Sequence, residues 1–301
     1  MGNNLIAISG KINSGKDTVG KIIQYLTLDK EVFAMTNADI VADLEYNGYC
    51  ASKSDWKIKK FADKLKDIVC ILLGCTREQL EDREFKEKEL REEWWFYQFE
   101  KKVVKSYLEV TQRDLDSWKY RSLSVNLVKL TPRKLLQLLG TEAGRDIIHP
   151  NIWVNALFAD YLLTQSKDDW FRINTSANNR TDFIEKYGRK KYKPLNEKYF
   201  KETLPNWIIT DMRFPNELKA VKDRGGITIR VNRPIEIIAQ HQSFLENHPA
   251  NHPKNIIIGE HPSETALDNA EFDFVIDNNK DIEHLINEVK SVLEKLNLLN
   301  P

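Results

Sequence analysis

The chain has 301 residues, and its 45 Lys plus Arg against 45 Asp plus Glu give a formal net charge of zero. That length suits one large domain with insertions, and the charge balance disfavours a protein that coats nucleic acid by releasing counterions. A composition of 41% hydrophobic and 30% charged residues excludes a disordered chain, and 3 cysteines without CxxC spacing argue against a disulfide framework or structural zinc site.

Leu5 to Ile8 is apolar at every position, the pattern of a buried parallel strand. It enters Gly10-Lys11-Ile12-Asn13-Ser14-Gly15-Lys16-Asp17-Thr18, and a helix is predicted after it, with Val19, Ile22, Ile23 and Leu26 on one face. Trp56 to Phe61 reads as a strand, and Ala62 to Leu73 as a helix. The charged, aromatic stretch from Thr76 to Lys119 reads as long helices of an inserted subdomain. Thr131, Pro132 and Arg133 open a further helix, with Thr131 as its cap and Pro132 in the first turn, and Gly140 marks its end. Trp153 to Leu163 is another amphipathic helix, and the basic run Arg189 to Lys193 a surface excursion. The α/β rhythm then resumes. Strands are expected over Trp207 to Thr210, Ile227 to Val231 and Phe272 to Ile276, and helices over Asn216 to Arg224 and Ile282 to Leu298. This alternation predicts an α/β fold with a mostly parallel central sheet flanked by helices. No run approaches the roughly 18 apolar residues of a membrane span, so a soluble, cytoplasmic protein is expected.

Gly10-x4-Gly15-Lys16 has P-loop spacing. Backbone N–H groups must turn inward around phosphate oxygens, so glycines are needed where a Cβ would block the turn. The lysine then reaches the terminal phosphates, and the helix N-terminus adds positive potential. The residue after Lys16 is Asp17, where a Walker A loop has Ser or Thr, and Thr18 follows one place later. Trp207 to Asp211 resembles a Walker B strand, with Asp211 at the carboxyl end where ligands gather in such sheets. Arg213 follows it, and Glu217 is placed to join the pair from the next helix.

These stretches resemble the phage-type deoxynucleoside monophosphate kinases of the P-loop kinase superfamily. The resemblance runs through Ser9 to Thr18, Phe61 to Lys66, Leu80 to Lys86, Arg133 to Glu142, Thr210 to Glu217, Arg230 to Pro234, Ser263 to Thr265 and Asp273 to Asn278. Residues 94–126, 176–203 and 235–258 match no part of the family. The resemblance implies a single P-loop kinase domain with a helical acceptor-binding insertion over 62–150. The segment 233–267 follows a strand, is polar and lacks periodicity, so it is expected to be a lid that excludes water. The resemblance also implies transfer of the ATP γ-phosphoryl to a (deoxy)nucleoside monophosphate with Mg²⁺, in a cytoplasm that is the host's if a phage encodes the chain. Lys11, Asn13, Ser14, Gly15, Lys16, Asp17, Thr18 and Arg233 would then hold ATP, with Lys16 on the transferring phosphoryl. Asp17 and Asp211 would order Mg²⁺ and the acceptor, and Arg213 would complete the catalytic set. Lys64, Arg83, Arg133, Gln137, Trp153 and Glu217 would bind the acceptor. In that set Arg133 and Arg83 clamp its phosphate, Gln137 reads a base edge and Trp153 stacks on the base.

Other readings of the same residues stand beside these. Arg133 also suits a surface ion pair, and Trp153, at helical spacing with Leu157, also suits the core. A dephospho-coenzyme type of kinase, or a nucleotide-dependent ATPase or switch, shares the loop. His248-x3-His252 has ligand spacing, but Pro249 and Pro253 break the helix it needs. Small-molecule substrates are the expected partners, and a homodimer is compatible with the composition.

Overall fold

Strands that are apolar throughout must be covered on both faces, and this requirement organises the sheet. The computed structural model describes residues 4–28, 35–45, 50–100, 102–121, 123–162, 204–234 and 265–299. Its strands are β1 (Leu5–Ser9), β2 (Lys57–Lys59), β3 (Phe96–Phe99), β4 (Lys102–Ser106), β5 (Asn126–Val128), β6 (Trp207–Met212), β7 (Ile227–Asn232) and β8 (Phe274–Asp277). The α-helices are α1 (Lys16–Leu26), α2 (Asn37–Glu45), α3 (Asp63–Leu73), α4 (Arg77–Glu81), α5 (Arg83–Glu87), α6 (Gln112–Tyr120), α7 (Pro132–Gln137), α8 (Ile152–Phe158), α9 (Pro215–Lys222) and α10 (Ile282–Lys295). Two units divide the chain: Met1–Lys60 with Phe158–Pro301, and Phe61–Leu157.

The first unit holds a five-stranded sheet in the order β2-β6-β1-β7-β8. Every pairing in it is parallel. Ile6 and Ile8 point to the face covered by α1 and α10, where they join Ile22, Ile23, Ile208, Ile229, Ile286 and Val289. Leu5 points the other way. A Cβ on Gly226 would lie 2.9 Å from Leu5 Cγ and 2.7 Å from Val221 Cγ1, so α9 packs on that second face. The expected α/β architecture of the P-loop kinase fold is present.

Between β1 and β6 the register slips: Ala7 pairs with Ile209, but Ser9 pairs with Met212. Thr210 and Asp211 therefore both stand opposite Ile8, which is a β-bulge at the carboxyl end of β6. Bulges re-aim side chains, and this one lies in the strand that carries the candidate acid.

The second unit corrects the expectation of long helices over Thr76 to Lys119. Its helices there are short, and β3, β4 and β5 form an antiparallel sheet in the order β4-β3-β5. The reason is a period-2 pattern hidden behind a charged run. Trp95 and Tyr97 share one face and meet Tyr107 and Trp118, with ring centroids 5.4 Å apart for Trp95–Tyr107 and 5.2 Å for Tyr97–Trp118. These four half-buried rings pack together over the small sheet.

Gly140 also departs from expectation. It does not end the helix, which continues as a π-helix over Leu138–Ile148. A Cβ at Gly140 would come within 2.9 Å of Leu65, and one at Gly144 within 2.9 Å of the Trp153 ring. Both glycines serve close packing. The expected cap at the other end is present, as the Thr131 hydroxyl accepts from Lys134 N at 3.2 Å. Thr131→Ala is expected to lower the unfolding free energy by about 1 kcal/mol, the usual worth of such a cap, measurable by denaturant titration.

Candidate active site

Ser9 ends β1 fully buried, and the chain then turns through Gly10 to Gly15 into α1. Two glycines are required here. A Cβ on Gly10 would sit 2.6 Å from Val231 O, and Gly15 has φ of 97° with Asn278 Nδ2 at 2.6 Å from its would-be Cβ. Asn13 also takes the left-handed region, at φ 59°, which asparagine tolerates. The loop is pinned by Ser14 N to Lys11 O at 3.2 Å and by Asn278 Nδ2 to Ser14 O at 2.9 Å.

Lys16 is 8% exposed and folds back over this loop. Its ammonium donates to Gly10 O at 2.7 Å and Lys11 O at 2.6 Å. An ammonium this buried, at a helix N-terminus, makes a strong local positive potential. Ser14 Oγ, buried nearby, has no hydrogen-bond partner among the described residues, as does Arg233 Nε. Buried orphans of this kind fit a phosphate-bearing ligand. Arg233 also donates from Nη1 to Asn13 O at 3.3 Å, which places it against the loop.

Further cations border the loop. Lys11 pairs with Asp268 at 3.2 Å, and Arg230 donates to the same carboxylate at 2.8 Å and to Ser9 Oγ at 3.1 Å. Lys11, Arg230, Asn232, Arg233, Asp277 and Asn279 are among the lining of a cavity of about 350 Å³. Arg230, Asp268 and Asn278 carry no assignment from the sequence, although Arg230 and Asn278 lie inside matched stretches. Their roles depend on the parallel register of β7 and β8 beside β1.

Asp17 lies on the first turn of α1, and its Oδ1 accepts from Thr210 Oγ1 at 2.7 Å and from Lys60 Nζ at 2.9 Å. Burial alone would raise its carboxyl, but the bonds from Lys60 and Thr210, with the charges of Lys60 and Lys16, hold it below the ordinary carboxylate value. Asp211 is half-buried at the bulge. Mg²⁺ asks for oxygen donors, and it commonly takes one or two carboxylates, completing its shell with phosphate oxygens and water. Asp17 and Asp211 fit that requirement. No group of three His, Cys, Asp or Glu suited to a metal occurs among the described residues.

Glu217 is 2% exposed and accepts from Arg213 N at 2.7 Å and Phe214 N at 3.1 Å. Phe214, at the N-cap, has no acceptor of its own, so Glu217 supplies the cap from inside the helix. The structure thus gives this carboxylate a fixed job at the start of α9.

In the second unit, Arg133 and Gln137 are exposed one turn apart on α7, on a common face. Arg133 pairs with Glu87. Arg83 is exposed on the first turn of α5, and Lys64 is half-buried at the start of α3. Trp153 differs from the base platform expected of it: it is 5% exposed, packs with Leu65, Val69 and Leu80, and donates from Nε1 to Gly140 O at 2.7 Å. The expected lid of 233–267 lies, over 235–264, outside the described residues, as do the basic run Arg189 to Lys193 and His248-x3-His252.

No helix among the described residues is long and apolar enough to cross a membrane. No family model matches the chain. The sequence is similar to a deoxynucleoside-5'-monophosphate kinase of Escherichia phage T5, with 25% identity over 283 residues that cover 87% of this chain and 84% of that protein. The relationship to phage-type deoxynucleoside monophosphate kinases, first suggested by the Gly-Lys-Asp-Thr loop and the Leu-Gly-Thr-Glu helix, is thereby supported over most of the chain.

Proposed function

We propose that the chain is an ATP-dependent kinase of (deoxy)nucleoside monophosphates that transfers the γ-phosphoryl to an oxygen of the acceptor's phosphate and releases ADP. The observation that carries this reading is Lys16, an 8% exposed residue whose ammonium is held over two loop carbonyls at the start of a helix. When ATP enters, its phosphate oxygens replace those carbonyls as the better acceptors, since they are charged. The similarity to a phage kinase supports the same class.

Phosphoryl transfer needs positioning and charge neutralisation more than covalent chemistry. Lys16 balances the γ-phosphoryl as it leaves ADP. The Gly15 amide, Ser14 and Thr18 hold the other phosphates, and Asn13, Lys11 and Arg233 close round them from the loop and from just past β7. Bound Mg²⁺ would supply further neutralisation of the phosphates, held by Asp17 and Asp211, with Arg213 two residues after Asp211. Arg133 and Arg83 present planar guanidinium groups suited to bidentate capture of a monophosphate. The exposed Arg133–Glu87 pair is of the kind worth little in water, so a phosphate displaces Glu87 easily. Lys64 adds charge for the acceptor, and Gln137 offers both a donor and an acceptor to a base edge from the face that carries Arg133.

The test is coupled ADP release with each common NMP and dNMP, with and without Mg²⁺. Release that depends on at least one monophosphate and on Mg²⁺ is the expected result. ADP release independent of any acceptor would overturn the reading in favour of an ATPase, and release dependent only on a dephospho-coenzyme would reassign the acceptor.

A further inference from the structure

Lys60 belongs to none of the matched stretches, yet the fold delivers it to the loop. Strands β2 and β6 are parallel neighbours, with Lys59 opposite Ile209. One step further along both chains, Lys60 and Thr210 emerge side by side, and both donate to the same oxygen, Asp17 Oδ1, at 2.9 Å and 2.7 Å. Thr210 is 1% exposed, which makes it a fixed anchor. Among the described residues Asp17 Oδ2 receives no protein donor. Asp17 is also an electrostatic liability, because a carboxylate next to Lys16 repels a triphosphate bound on the loop.

We infer that Lys60 is a positioning residue for Asp17: it cancels the Asp17 charge towards bound ATP and, with Thr210, fixes Oδ1 so that Oδ2 is the oxygen available to ligand. This rests on the kinase reading above. Lys60 acts through Asp17, so its contribution to ATP affinity depends on Asp17 being charged.

The experiment is a double-mutant cycle read as the ATP dissociation constant by titration calorimetry, on the full chain. Lys60→Ala is expected to weaken ATP binding about fivefold in the parent, and less than about twofold in an Asp17→Asn background. Lys60→Arg is expected to restore parental affinity, with thermal unfolding unchanged across the set. Equal weakening in both backgrounds would overturn the inference, because Lys60 would then contact phosphate directly or support the fold. Unchanged affinity in Lys60→Ala would overturn it too. A parent chain that binds no ATP would instead sink the kinase reading itself, so the two failures are told apart by the parent's own titration.

Discussion

Lys16→Ala is expected to reduce kcat about a thousandfold, roughly 4 kcal/mol of transition-state stabilisation, while leaving the fold intact. The side chain is nearly buried, but what it buries includes an ammonium held by two loop carbonyls, and the residue is not among the buried hydrophobics of the core. Removing it frees Gly10 O and Lys11 O to take water, so the cost to stability is small. The cost to reaction is large, because the neighbouring cations among the described residues are engaged elsewhere, Arg233 with the Asn13 carbonyl among them. Lys11 and Arg230 are tied to Asp268, and Lys60 to Asp17. Steady-state kinetics beside circular dichroism melting decides the matter. A variant that keeps more than about a tenth of kcat would show that the ammonium is structural.

Asp17→Ser is expected to bind ATP at least as well as the parent, yet to lose at least about tenfold in kcat/KM for the acceptor, about 1.4 kcal/mol. If the carboxylate were only a substitute metal ligand, serine would restore the common Walker A chemistry and activity would survive. The geometry argues otherwise. Asp17 is oriented by donors from β6 and from just past the end of β2, more support than a water-mediated metal contact demands. Its carboxyl also lies below the ordinary carboxylate pKa, so it is anionic at neutral pH, and whatever part of its repulsion of ATP Lys60 leaves uncancelled persists there. Taking away that charge relieves the donor and removes whatever the free oxygen does for the acceptor. ATP affinity and acceptor kinetics on one preparation distinguish the two outcomes, and unchanged acceptor kinetics would return Asp17 to a plain metal or structural role.

The parts of this molecule that sequence could disclose are those whose cause is local. β1 is wholly apolar, the loop glycines carry positive φ or close approach, and Thr131 with Pro132 starts a helix by a rule spanning four residues. The parts it hid depend on partners far along the chain. The strands β3 and β4 lie behind a run of charges that mimics a helix surface, and only the ring contacts of Tyr107 and Trp118 reveal their period. Gly140 looks like a terminator until Leu65 is set against it. Lys60 is an ordinary lysine in a lysine-rich stretch until β2 is aligned with β6. Trp153 was legible in both of its senses, and burial decides for the core.

Asn278 fastens Ser14 across a separation of 264 residues, and Gly15 lacks a Cβ where that amide passes. The loop thus takes part of its shape from a residue just past β8, although it is synthesised 264 residues earlier. At synthesis rates of roughly 5–20 residues per second, the loop spends on the order of tens of seconds without its fastening. Contacts of such long range also form late in folding, since chain closure must precede them. The finished loop is therefore something the nascent chain acquires only when β8 joins the sheet, and any ligand that binds that loop stabilises β1 and β8 together.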